Sequence, residues 1–278
     1  MSATTAPARR ARNGGAAAVP APAIVVHTGR DRVRAMVRAA FPRRRGRLVL
    51  ARSTDDVGAA FHSELVDAVL VDLGGASSDA WATAELAREF PSAPFFGVLP
   101  LRASDAPSLA RCAQLDFAGV AVEGVDDGAL RDLVAPRSFS ARFASALGTP
   151  PSALGLVNEL QQRTWQCLVA HAGRPVRTEM LAEAVGVTRE HLSRSFAEGG
   201  APNLKRVIDF VRVLAAAELA KNPGYDVRDV AAVLGFASSS HLSSTAQRVV
   251  GTRPTSLARL RTVDLIERFA KGRSRSRG

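Results

Sequence analysis

Two stretches of this chain place polar side chains at spacings suited to recognition chemistry. In the first, Arg189, Glu190, Ser193 and Arg194 project away from Leu192 and Phe196 at helical spacing. In the second, Ser239, Ser240, Ser243, Gln247 and Arg248 stand opposite Leu242, Thr245, Ala246 and Val249. A guanidinium presents a planar fork of donors that fits phosphate oxygens or the edge of guanine. A Gln amide can pair with adenine, and a Ser hydroxyl accepts many partners. The same residues would also suit a helix face that meets only water. A third candidate is Asp72, a carboxylate at the end of the apolar run VLVDL. A fourth is Cys112, the only cysteine of the N-terminal half, in SLARCAQL.

Both polar faces belong to two-helix units. Val227, Val230, Ala231 and Leu234 form an apolar stripe that Gly235 ends, since glycine takes the left-handed conformation at low cost. Phe236 then plugs the turn. Ser238 is suited to cap the following helix, whose end is marked by Gly251 and Pro254. The unit repeats earlier as RTEMLAEAVGVTREHLSRSFAEGG. There Leu181-Ala182 matches Val230-Ala231, Gly186 matches Gly235, Val187 matches Phe236, and His191-Leu192-Ser193 matches His241-Leu242-Ser243. Each unit reads as a helix-turn-helix. One such pattern is weak evidence; two in tandem are far more specific.

The pair resembles the C-terminal DNA-binding domain of AraC/XylS-type transcription regulators. The resemblance rests on HLSRSF (His191 to Phe196) and LGFASSSHLSSTAQRVVGTRP (Leu234 to Pro254) and covers roughly residues 155–265. It implies double-stranded DNA as partner, Arg189 as the leading base-reading candidate, and Arg194 as a base or phosphate contact. Ser244, Ala246 and Gln247 depart from the family pattern, which has cations and a Phe there, and Ala201 and Leu204 replace its Gly and Pro. The second unit is therefore expected to have a thinner core and fewer phosphate contacts. His191 and His241 are expected to make structural hydrogen bonds rather than bind metal.

The N-terminal half alternates apolar runs with helical patterns. Strands are expected at 23–28, 47–51, 67–73, 93–100 and 117–122, and helices at 31–41, 55–65, 79–90, 105–114 and 126–134. Five βα units with right-handed crossovers predict a flavodoxin-like doubly wound parallel sheet over residues 23–135. This half resembles a response-regulator receiver domain, in which Asp72 would be the phosphoacceptor. Such a site needs further carboxylates for Mg²⁺, because a hard cation takes several oxygen ligands. Here His27-Thr28-Gly29-Arg30 stands in that place, Leu99-Pro100 where a Thr or Ser is expected, and Glu123 where a Lys is expected. The expectation is a receiver-like fold without phosphotransfer, in which Asp72 caps the strand end or the next turn. The domain would then serve protein interaction or homodimerisation.

Composition bounds the rest. The 278 residues suffice for two domains, and 46% apolar content for proper cores. No apolar run approaches the roughly 18 residues of a membrane span, so no membrane partner is expected. Residues 1–22 lack the apolar core of a secretory signal and are expected to be disordered; a cytoplasmic location follows. Cys112 and Cys167 form no disulfide or metal framework. Neither a cofactor nor a metal is expected.

The net charge of +11 is uneven: 16 basic and 15 acidic residues precede Arg137, while 21 basic and 11 acidic follow from there. The positive field sits on the helix-turn-helix half, as attraction to phosphates requires.

Residues 136–152 (Pro- and Ser-containing) are expected as a linker with one short helix, and 153–171, 204–221 and 256–269 as helices. The 204–221 helix would hold the two units so that their second helices reach grooves roughly 34 Å apart. The basic tail, 270–278, is expected to be unfolded. No catalytic residue is expected: some regulators of the resembled family carry an amidase-like domain, but Cys112 lies mid-helix rather than on a strand-to-helix elbow. The remaining alternatives are a phosphorylation-controlled response regulator and an interaction protein whose helix-turn-helix has lost specific DNA reading.

Overall fold

The computed structural model describes residues 20–75, 77–198 and 200–274. Nearly all of the expected N-terminal tail, and residues 275–278 of the basic tail, lie outside them. Among the described residues no helix is long and apolar enough to cross a membrane.

The α/β half runs β1 (Ala23–His27), α1 (Asp31–Ala40), β2 (Arg47–Ala51), α2 (Thr54–Ser63), β3 (Ala68–Asp72), α3 (Ser78–Glu85), β4 (Phe95–Leu99), α4 (Ala106–Gln114), β5 (Gly119–Val122) and α5 (Leu130–Val134). All four strand pairings are parallel, in the order β2-β1-β3-β4-β5. This is the flavodoxin-like arrangement. Alternation along each strand feeds two cores. Ile24, Val26, Leu70, Phe96 and Val98 pack under α1 and α5, with Val33, Val37, Leu130 and Val134. Val25, Val69, Val71, Phe95 and Leu99 face the other side, with Phe61, Ala80 and Cys112. The fifth helix starts at Leu130 rather than Asp126, because the carboxylates of Asp126 and Asp127 accept the Val122 and Gly124 N–H groups and build a turn instead.

The helical half comprises α6 (Phe139–Ala146), α7 (Glu159–Ala170), α8 (Thr178–Val185), α9 (Arg189–Ala197), α10 (Leu204–Leu219), α11 (Val227–Val233), α12 (Ser239–Val250), α13 (Pro254–Leu257) and α14 (Thr262–Ser274). Residues 136–152, expected as a linker, are built into it. Phe139, Phe143 and Leu147 are buried in the helical core, and the Trp165 indole N–H donates to the Leu147 carbonyl at 2.6 Å. The α7 helix begins at Glu159 because Asn158 and Gln161 form a reciprocal capping box. The single C-terminal helix expected over 256–269 is two. Pro254 opens the first, Asp264 accepts the Arg261 N–H near the start of the second, and α14 runs past Phe269 to Ser274. Its anchor is Phe269, fully buried and stacked on Phe210 of α10 at 4.1 Å between centroids. Ala246, expected to leave a thinner core, is itself fully buried, and α14 packs on α12.

The halves are joined by buried polar and aromatic contacts. Arg174, between α7 and α8, donates to the fully buried Asp67 at 2.6 Å and to Ser140 Oγ at 2.7 Å. Asp67 also accepts the Ala23 and Ser140 N–H groups, so its buried charge is both paired and hydrogen-bonded. Asn222 exchanges two hydrogen bonds with Ser92, each 2.8 Å. The Tyr225 hydroxyl donates to the Phe61 carbonyl at 3.1 Å, and its ring meets Phe90 edge-on at 5.0 Å. Gly224 lies so close under Phe90 that a Cβ there would sit 2.6 Å from the ring. His62 of α2 pairs with Asp229 of α11 at 3.1 Å.

Candidate nucleic-acid interface

The two helix-turn-helix units close their turns in the same way. In the first, Gly186 has φ +77° and the Val187 N–H donates to the Ala182 carbonyl at 2.9 Å. In the second, Gly235 has φ +61° and the Phe236 N–H donates to the Ala231 carbonyl at 2.8 Å. Ala182 and Ala231 are buried, so the first helix of each unit approaches the second closely. Hydroxyl caps then start the second helices. Thr188 Oγ1 accepts the His191 N–H at 3.2 Å, and Ser238 Oγ accepts the His241 N–H at 3.0 Å.

The polar faces divide into free and engaged side chains. On α9, Arg189, Glu190, Ser193 and Arg194 are all exposed. Arg189 forms an exposed ion pair with Glu179 at 3.2 Å, a contact of little energetic weight that an incoming phosphate or base can displace. Among the described residues Arg194 has no ion-pair partner, and it lies with His191 beside a surface groove of α7 and α9. On α12, Ser240 and Gln247 are exposed, while Ser239 and Ser243 are half-buried. The Ser243 hydroxyl donates back to the Ser239 carbonyl at 2.9 Å, and Ser244 to His241 at 3.1 Å. Both hydroxyls keep lone pairs, but their donors are spent on the helix itself. The half-exposed Arg248 pairs with Asp209 of α10 at 2.9 Å.

Two residues of α10 missed by sequence reasoning fix the second unit. Asp209 holds Arg248. Arg212 lies 3.8 Å over the Phe236 ring and donates to the Leu234 and Gly235 carbonyls at 3.0 and 3.1 Å. Burial pulls the Arg212 guanidinium below its ordinary value, with Asp209 opposing that shift. In α10 only the i,i+3 spacing of Asp209 and Arg212 hinted at a shared face. His241 is structural: it accepts the Ala237 N–H at 3.3 Å and packs edge-on to Phe236 at 5.5 Å.

Residues 181–259, from within α8 through the second unit, match the family model described as a helix-turn-helix domain. The helical half carries an AraC-type DNA-binding domain. Its presence supports DNA binding in transcription regulation. No curated protein matches the chain.

The other candidates lie away from the AraC-type domain. Asp72 is gripped from several sides. Arg30 donates to it from Nε at 2.8 Å and from Nη2 at 2.5 Å, the Thr28 hydroxyl donates at 2.6 Å, and the Gly74 N–H at 3.1 Å. Arg30 Nη1 also reaches Glu123 at 2.7 Å, and Arg32 pairs with the same carboxylate at 2.8 Å. Bonds to both carboxylates push the Arg30 guanidinium above its ordinary value. The charges are thus reversed from a receiver: an arginine stands where acidic ligands are expected, and a glutamate where the lysine is expected. Asp31 turns outward to Arg34. These residues do not fit Mg²⁺, because the cationic Arg30 already occupies the carboxylate a metal would need. Among the described residues no group of three or more His, Cys, Asp or Glu could hold a metal ion. Cys112 is buried in α4, and burial pushes its thiol up to about 11, which disfavours the reactive thiolate.

Proposed function

We propose that the chain is a sequence-specific transcription regulator that lays α9 and α12 in successive major grooves of double-stranded DNA. The observation that carries this reading is the equivalence of the two turns, joined by one helix that is itself clamped to the second turn through Arg212. Sixteen residues of α10 span about 24 Å at 1.5 Å per residue, so the connection acts as a rigid spacer. The concentration of positive charge from Arg137 onward supports approach to phosphate.

Base reading falls mainly to α9, with Arg189 and Arg194 as the discriminating side chains and Glu190 and Ser193 beside them. Ser239, Ser240, Ser243 and Gln247 of α12 make permissive contacts. Arg248 joins them at a phosphate only by sharing its guanidinium with Asp209.

The α/β half serves as a docked interaction module rather than a phosphorylation switch. Its contact with α11 and the turn before it, through Gly224, Tyr225 and Asp229, supports a mechanical link to the second unit. Leu101 and Val125, 50% and 77% exposed after the adjacent strands β4 and β5, support a protein contact there, a homodimer being the simplest.

Selection of bound duplexes from a random pool with the full chain tests the reading. The expected outcome is a bipartite site whose better-defined part is altered by Arg194→Ala. Recovery of no enriched sequence would favour the alternative of an interaction protein.

A further inference from the structure

A cavity of about 360 Å³ opens where the two halves meet. This lies within the size range of small-molecule sites, which favour domain junctions. Phe139 and Phe143 of α6, Leu147 at the end of that helix, and Leu214 of α10 make its apolar wall. Ser92 comes from the α/β half and Thr262 from the start of α14. Three charged groups stand at the wall: Arg142, Glu218 and Lys221. Lys221 and Glu218 satisfy one another at 2.6 Å. Arg142 donates from Nη2 to the Ser92 carbonyl and forms no direct ion pair among the described residues, although Glu218 lies near enough to act on its charge. Two cations against one carboxylate leave the lining with one positive charge in excess, beside an aromatic and aliphatic wall.

We infer that this junction cavity binds a small monocarboxylate with an apolar acyl or aryl body. The carboxylate would take the remaining guanidinium donors of Arg142, an arrangement that favours charge-assisted hydrogen bonds. The body would lie on Phe139, Phe143 and Leu214. A neutral molecule would leave the charge unmatched, and a dianion would meet Glu218. Four parts of the chain touch such a ligand at once: the Ser92 turn, α6, α10 and the start of α14. Because α10 carries both Asp209 and Arg212, a ligand that favours one arrangement of these parts would bias the second recognition helix. That consequence rests on the DNA-binding reading above; the binding itself does not.

A reporter lies one residue behind the cavity wall. The Trp165 indole is bonded to the carbonyl of Leu147, a lining residue. Trp81→Phe leaves Trp165 as the only tryptophan of the chain. In the full-length Trp81→Phe protein, sodium octanoate should shift Trp165 fluorescence saturably, with matching heat in calorimetry. Arg142→Met should weaken octanoate by roughly ten-fold or more, the usual cost of losing a hydrogen bond to a charged group. 1-Octanol should bind parent and Arg142→Met alike. Ala146→Phe, which fills the cavity from an exposed position on α6, should abolish both responses while the urea midpoint stays near the parent's. The inference is overturned if octanoate gives no saturable response below its micellar concentration. It is equally overturned if octanoate binds Arg142→Met or Ala146→Phe as tightly as the parent. Absence of any sequence-selective DNA binding, with octanoate binding intact, would count against the DNA reading alone.

Discussion

Cutting the chain at residue 152 instead of 137 should remove most of the stability of the helical half. Phe139, Phe143 and Leu147 are only 4%, 6% and 6% exposed. Burial of each such side chain is worth roughly 1.5–3 kcal/mol, so the three together contribute about 5–9 kcal/mol. The cut also orphans the Trp165 indole N–H, at a further cost of about 1–3 kcal/mol. Domains of this kind have only about 5–15 kcal/mol in total. Fragment 152–278 should therefore be largely unfolded, whereas fragment 137–278 should show a cooperative urea transition by circular dichroism and Trp165 fluorescence. In the full chain, Phe143→Ala should cost about 3–5 kcal/mol, typical of a buried Phe truncated to Ala. Equal urea midpoints for the two fragments, or an unchanged midpoint for Phe143→Ala, would refute the claim that α6 is core rather than connection.

Three other outcomes are expected. Acetyl phosphate with Mg²⁺ should leave the intact mass of the chain unchanged, because Arg30 already occupies the Asp72 carboxylate; a Mg²⁺-dependent adduct lost in Asp72→Asn would contradict this. The N–H groups of Asp229 and Arg228 hold the Asp226 carboxyl below its ordinary range. A depressed folded value stabilises above the unfolded value of about 3.9 and is lost as pH falls through the folded one. Asp226→Asn keeps a capping oxygen without the charge, so the acid-side fall of the thermal midpoint should be shallower in that variant. Gly224→Ala drives a Cβ into Phe90, so it should loosen the two halves from one another, seen as faster proteolysis between them; an unchanged digestion pattern would show that the contact yields easily.

Period-2 and helical patterning made the α/β half legible: each apolar run of the sequence is a strand of one parallel sheet. The two helix-turn-helix units were legible because glycine, a small residue and a hydroxyl cap fall at the same offsets in both. Burial and pairing were not legible. The prolines and serines of 136–152 read as a linker, yet Phe139, Phe143 and Leu147 needed a core, and only tertiary contact decided the matter. Arg30 read as a lost metal site, and its side-chain reach to Asp72 and Glu123 is a long-range fact. Arg248 read as one more free polar group of the second face because its partner, Asp209, lies on another helix 39 residues away.

The central claim, that α9 and α12 read one DNA site together, is tested most directly by hydroxyl-radical footprinting of the full chain on its selected duplex. Two protected segments on one face, about 10–10.5 base pairs apart, are predicted. Arg194→Ala should weaken the α9 segment and relax sequence preference there by roughly ten-fold or more, as for a lost bidentate contact. A single protected segment, or equal protection of a scrambled duplex at physiological salt, would contradict the account.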